Sequence, residues 1–144
     1  MKAIRHFGMV VRDIEASLHF YRDLLGLKIQ RDILEEGEFI DTILKLKDVQ
    51  VRTVKMASDN GETLVELLEY GSHKGNKIEN YQIFDLGASH IAFTVENVEA
   101  EYHRLLSEGI TFTCLPRVSP DKKAKVTFCF DPDGVPVELV EVLQ

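Results

Sequence analysis

The sequence has no tryptophan, only two cysteines and no excess of positive charge, and each shortage removes a class of function. Lys and Arg number 17 against 24 Asp and Glu, for a net charge of -7 with His neutral. That field repels phosphate backbones and anionic lipid headgroups, and no basic stripe reverses it locally, so neither nucleic acid nor a membrane surface is an expected partner. Cys114 and Cys129 lie in apolar runs without CxxC spacing. This argues against a disulfide framework or a thiolate metal site and predicts two buried free thiols. No apolar stretch approaches the ~20 residues that cross a bilayer. The start MKAIRHFGMVV has neither a signal-peptide core nor a small-residue cleavage site, so a cytoplasmic protein is expected.

What is present fits one soluble domain. The chain has 144 residues, 44% apolar and 28% charged. At this length roughly 68% of the unfolded surface is buried on folding, enough for a core without disulfide or metal staples.

Residues 3–11 read as a strand, followed by a helix capped by Asp13, with Ile14, Leu18, Tyr21 and Leu25 at helical spacing and Gly26 as the stop. Residues 27–34, 49–57 and 62–70 read as strands. Asp59-Asn60-Gly61 signals a hairpin, because Asn and Gly tolerate the positive φ of a tight turn. The intervening EEGEFIDTILKLKD is an irregular excursion in which Phe39, Ile43 and Leu46 fit a helical turn or two. Residues 71–88 form a connector, after which the order restarts. SHIAFTV is a strand, Asn97 caps a helix with the stripe Val98, Tyr102, Leu105 and Leu106 ending at Gly109, and ITFTCLPRV, KVTFCF and VPVELVEVL are strands.

The repeat carries the most information. A shift of 84 places His6 on His90, Val11 on Val95, Asp13 on Asn97, Ile14 on Val98, Glu15 on Glu99 and Ala16 on Ala100. A shift of 72 places Val65-Glu66-Leu67-Leu68-Glu69 on Val137-Glu138-Leu139-Val140-Glu141. The chain therefore holds two βαβββ modules, about 1–70 and about 89–144, and the first carries about 12 extra residues between helix and last strand.

Each module has one His in its first strand and one Glu in its last. A lone strand His is usually a hydrogen-bonded core residue and a lone strand Glu is usually solvated. Retention of His6, Glu66, His90 and Glu138 at equivalent positions of two diverged copies points instead to a shared divalent-metal site, because an isolated buried carboxylate would neutralise or need a partner. The last strands read apolar on both faces, so alternation leaves Glu66 against Glu69, and Glu138 against Glu141, open. His19, His103 and His73 read as solvated. The mixed N/O set suits Zn, Ni, Co, Mn or Fe(II).

The segments RHFGMVVRDIEASLHFYRDLLGLKI, TLVELLEY, GASHIAFTV and FDPDGVPVELVE together resemble the vicinal oxygen chelate superfamily, which includes glyoxalase I, methylmalonyl-CoA epimerase, extradiol dioxygenases and the fosfomycin and bleomycin resistance proteins. The resemblance covers essentially the whole chain. It implies an α+β fold, a single domain of residues 1–144, in which two tandem βαβββ modules curl eight mixed strands around a metal-binding cleft with helices outside. It also implies His6, Glu66, His90 and Glu138 as ligands, a small-molecule substrate with vicinal oxygens, and a homodimer. Four protein ligands leave two adjacent open sites, which suits a lyase or isomerase that moves a proton α to a carbonyl through a chelated enediolate, with glyoxalase I-like chemistry ahead of an epimerase-like racemase. Glu138 holds the position of the glyoxalase I base and Glu66 that of its counterpart. A Fe(II) ring-cleaving dioxygenase would need only two His and one carboxylate. A metal-free drug-binding protein would need no ligand set at all. Val10 and Tyr70 stand where glyoxalase I usually carries an Arg and an Asn, so the resemblance carries the proton chemistry rather than glutathione recognition.

Overall fold

The computed structural model describes residues 2–77, 82–87 and 89–144. The part of the expected connector at 78–81 and 88 lies outside the described residues. The chain divides into two compact units, Met1–Lys77 and Ile78–Gln144. Each contains one four-stranded mixed sheet, giving eight strands and three α-helices among the described residues.

In the first unit β1 (His6–Val10) leads into α1 (Ile14–Leu18), and β2 (Lys28–Glu36), α2 (Glu38–Leu44), β3 (Gln50–Ala57) and β4 (Leu64–Tyr70) follow. The sheet order is β1-β4-β3-β2, with β1 parallel to β4 and the other pairs antiparallel. Asp13 caps α1 as expected, its carboxylate accepting from the backbone of Glu15 and Ala16 at 3.0 and 3.1 Å. The helix then widens into a π-helical segment, His19–Leu24, which periodicity does not reveal, and stops at Gly26, whose φ of 79° needs a residue without Cβ. Ile14, Leu18, Phe20 and Tyr21 are buried, as are Val54, Met56 and Leu67 of the sheet on which α1 packs.

Arg52 ties the helix to the strands. Its Nε and Nη2 donate to the two carboxylate oxygens of Asp32 on β2 at 3.0 and 2.8 Å, and Nη1 donates to Glu15 on α1.

The second unit repeats the plan. It consists of β5 (Ile91–Thr94), α3 (Val98–Ser107), β6 (Arg117–Val118), β7 (Ala124–Phe130) and β8 (Pro136–Val142), in the order β5-β8-β7-β6. The copies agree in register as well as in topology. Phe7 pairs with Val65, and its repeat equivalent Ile91 pairs with Val137, the equivalent of Val65; Gly8 pairs with Glu66 as Ala92 pairs with Glu138.

Four expectations need correction. Within EEGEFIDTILKLKD, Glu38–Leu44 form a regular helix whose buried residue is Ile40, while Phe39, Ile43 and, beyond its end, Leu46 are exposed. Ile40 rests on Val49 and Val51, with Leu68 and Tyr70 packed alongside, while Asp41 accepts from the backbone of Asp48 and Val49 at 3.0 and 2.8 Å and fixes the return into β3. ITFTCLPRV forms only a two-residue ladder and one bridge, Phe112 to Cys129, since Pro116 has no N–H to give a longer one. The hairpin at Asp59-Asn60-Gly61 exists, but neither Asn60 nor Gly61 has positive φ. The loop is wider than a two-residue turn, and a Cβ at Gly61 would displace the Ser58 hydroxyl. Finally, Cys129 is buried but Cys114 is exposed. No described helix is long and apolar enough to cross a membrane.

Two predictions follow from these contacts. Hydrogen bonding by Arg52 holds the Asp32 carboxyl below its ordinary value of 3.8, against the opposing effect of burial. A value depressed in the folded state stabilises fully above 3.8 and less as pH falls through the folded value. Arg52→Met should therefore lose about 1 kcal/mol in urea unfolding at neutral pH, and the gap to wild type should narrow in acid below the ordinary Asp range. Burial pushes the Cys129 thiol up to about 12. A thiol reagent should accordingly modify Cys114 in the native protein and both cysteines only after denaturation; rapid native labelling of Cys129 would contradict the packing.

Candidate metal centre

In the first unit, parallel pairing of β1 with β4 sets His6 opposite Leu64 and Gly8 opposite Glu66. His6 is thus diagonal to Glu66, with Nε2 3.1 Å from Glu66 Oε2. Gly8 leaves room for this arrangement, because a Cβ there would stand 3.2 Å from the same Oε2. Glu66 is 8% exposed, and its other oxygen is taken by Lys55 Nζ at 3.1 Å, from the directly opposite position on β3. The face question therefore has an answer for this strand: Glu66 is the carboxylate beside the His.

The second unit repeats the pair. His90 Nε2 lies 3.4 Å from Glu138 Oε2, and the Glu138 side chain is 22% exposed. Glu141 has a different task, accepting from the backbone N–H of Val98 at 2.9 Å at the start of α3, where Asn97 also accepts from Ala100. The position that Lys55 occupies in the first register belongs here to Phe128, paired with Glu138, whose ring meets the His90 imidazole edge-on at 5.5 Å.

Sequence reading missed Gly8, Lys55 and Phe128. The signal for Lys55 was available: a hairpin centred between Asn60 and Gly61 sets 55 against 66. The expectation that His19, His103 and His73 lie outside the site fits their contacts. His19 bonds Asp23 on an exposed surface, His103 is exposed beside Tyr102, and His73 bonds the Ser72 hydroxyl. Tyr70 is absorbed by the cluster that seats α2.

The donor types, imidazole nitrogen and carboxylate oxygen, suit a divalent ion. Neighbouring N and O ligands at ordinary bond lengths stand about 3.0 Å apart at a right angle and about 3.4 Å apart at the tetrahedral angle. The two His–Glu separations, 3.1 and 3.4 Å, have that spacing, as a His and a carboxylate in direct contact also do. Among the described residues no group of three or more such donors is gathered; each unit has one His–Glu pair.

The sequence profile of the Glyoxalase/Bleomycin resistance protein/Dioxygenase superfamily matches residues 3–139. The lactoylglutathione lyase of Schizosaccharomyces pombe is 30% identical over 142 residues, which are 95% of this chain and 46% of that protein, so the chain spans about half the length of this relative. The uncharacterized Escherichia coli protein YaeR is 27% identical over 98% of this chain and 97% of its own. A glyoxalase family protein of known structure from Bacillus cereus has the same fold, with a TM-score of 0.89 at 19% identity over 100% of this chain and 96% of its own.

The division of labour between Glu138 and Glu141 is testable. Glu141→Ala should lower thermal stability by about 1 kcal/mol through loss of the helix-start acceptor, whereas Glu138→Ala should leave it near wild type. The opposite ranking would reverse the two roles.

Proposed function

Because the chain belongs to the glyoxalase/bleomycin resistance protein/dioxygenase superfamily, we propose that it is a divalent-metal-dependent lyase or isomerase of the glyoxalase I type, moving a proton on the carbon next to a carbonyl. The observation that carries this reading is the twofold occurrence of one arrangement, a His–Glu donor pair set by the same parallel register in each unit. His6, Glu66, His90 and Glu138 then complete one site, contributed by the two modules of one chain or by two copies in a homodimer. Zn, Ni, Co, Mn or Fe(II) suits this set. When bound, the metal supplies Lewis acidity to two neighbouring oxygens of a small-molecule substrate.

The chain's own residues divide the remaining work. His6 and His90 offer ring nitrogens from the edge of each module, held in place by their carboxylate neighbours. Glu66 has both oxygens engaged, one by His6 and one by Lys55, and is the fixed member. Glu138 has His90 at one oxygen, is the more exposed carboxylate, and is the one free to leave its neighbour and take the proton from the substrate carbon. The glyoxalase-type reading is favoured over a ring-cleaving dioxygenase by the second carboxylate, which an oxygenase of the two-His, one-carboxylate kind does not need.

The test begins with metal content of the purified protein, followed by exchange of deuterium from D₂O into 2-oxo and 2-hydroxy acyl thiol compounds. Exchange that depends on added metal is expected; no exchange with any of the five metals would sink the proposal. Changing His6, His90, Glu66 or Glu138 to Ala should weaken metal binding by orders of magnitude with the fold retained. Glu138→Gln should keep metal while turnover drops by roughly 10²–10⁴, the contribution of general base catalysis. If Glu66→Gln is inactive and Glu138→Gln is not, the two carboxylates exchange roles.

A further inference from the structure

We propose that Lys55 is the anion-recognising residue of this site, and that the substrate carries a carboxylate at or beside its chelating oxygens rather than being a neutral hydroxycarbonyl. This rests on the metal-site reading above and narrows it to a class of ligand. The ammonium group lies 3.1 Å from Glu66 Oε1 on a side chain only 25% exposed. Its stem is held by a strand paired on both sides, with Thr53 and Val51 of the same face buried. Arg31, which is exposed, stands opposite Lys55 in the β2–β3 register. In a chain of net charge -7, Lys55 thus stands in register between Glu66 on β4 and a second cation, Arg31, on β2.

The second module is an internal comparison. It keeps the His–Glu pair in the same register but puts Phe128 where the first has Lys55. A carboxylate beside a histidine therefore does not require a lysine at this position to be held, since Glu138 is held without one. The lysine is a feature of one half only, and a partly desolvated cation next to a metal ligand is costly. If Glu66 held a divalent ion, its one negative charge would be shared between metal and ammonium, and an anionic ligand oxygen would supply the charge Lys55 then lacks. A neutral chelator would not supply it, so such a site would discriminate by ligand charge.

The experiment uses the full-length protein loaded with zinc, in wild-type, Lys55→Met and Lys55→Arg forms whose thermal melts confirm folding. Zinc affinity is read by competition with a chromophoric chelator. Binding of oxalate, a bidentate dianion, and of acetohydroxamic acid, a bidentate ligand of lower charge, is read by calorimetry. Lys55→Met should bind zinc at least as tightly as wild type, because a neighbouring cation is gone, yet lose about tenfold in oxalate affinity with a much smaller change for the hydroxamate. Lys55→Arg should retain most of the oxalate affinity. A merely structural lysine would weaken metal and both ligands together, and that result overturns the inference, as does equal oxalate affinity in wild type and Lys55→Met. Those results leave the metal site standing, whereas failure of the wild type to take up zinc or any of the other four metals overturns the proposed function and this inference with it.

Discussion

The parallel pairing of the first and last strands of each module is the constraint on which the rest depends. Parallel neighbours cannot be joined by a tight turn, so the chain must leave through a helix and return through antiparallel strands before closing the pair. That closure makes α1 and α3 cover one face of their sheets, and it fixes the stagger that sets a His diagonal to a Glu. A slip of one residue in β4 or β8 would turn Glu66 or Glu138 to the opposite face and present a neighbouring apolar side chain instead. Gly8, at the position paired with Glu66, is part of the same constraint, since the carboxylate lies against it.

The ties between helix and strands and the His–Glu pairs lie on different sides of each sheet. On the helix side, Arg52 joins α1 to β2 and β3, and Glu141 closes the start of α3. On the other side lie the His–Glu pairs, Lys55 and the end of the face where α2 is seated on Val51, Leu68 and Tyr70. The extra residues of the first copy thus form a packed element on the side of the donor pair. Membership of the superfamily accounts for the common frame. The contrast between Lys55 and Phe128, with the helix α2 of the first copy, distinguishes the two halves of this chain within it.

Much of the frame was legible before any coordinates. Asp13 and Asn97 announced their helices because a short side-chain acceptor before an apolar stripe satisfies the first free N–H groups, and both do so. The repeat was legible because the same residue types recur at two fixed offsets. Where the reading went wrong, local pattern competed with tertiary contact. The segment around Phe39, Ile43 and Leu46 reads as an irregular excursion, yet it contains a regular helix seated by Ile40 and by a carboxylate stapling a loop. Cys114 lies in an apolar run and is exposed, because Pro116 cuts the ladder short next to it.

The sequence by itself determined the two-module plan, the caps, the hairpins and the His and Glu types that recur in equivalent strands, because each depends on local conformation or on comparing the chain with itself. Only the tertiary structure decided which carboxylate of each last strand meets the histidine. These strands are apolar on both faces, so their alternation is silent, and the choice belongs to the register with strands distant in sequence. The same register, and no property of residue 55 taken alone, puts an ammonium beside Glu66 and an aromatic ring beside His90.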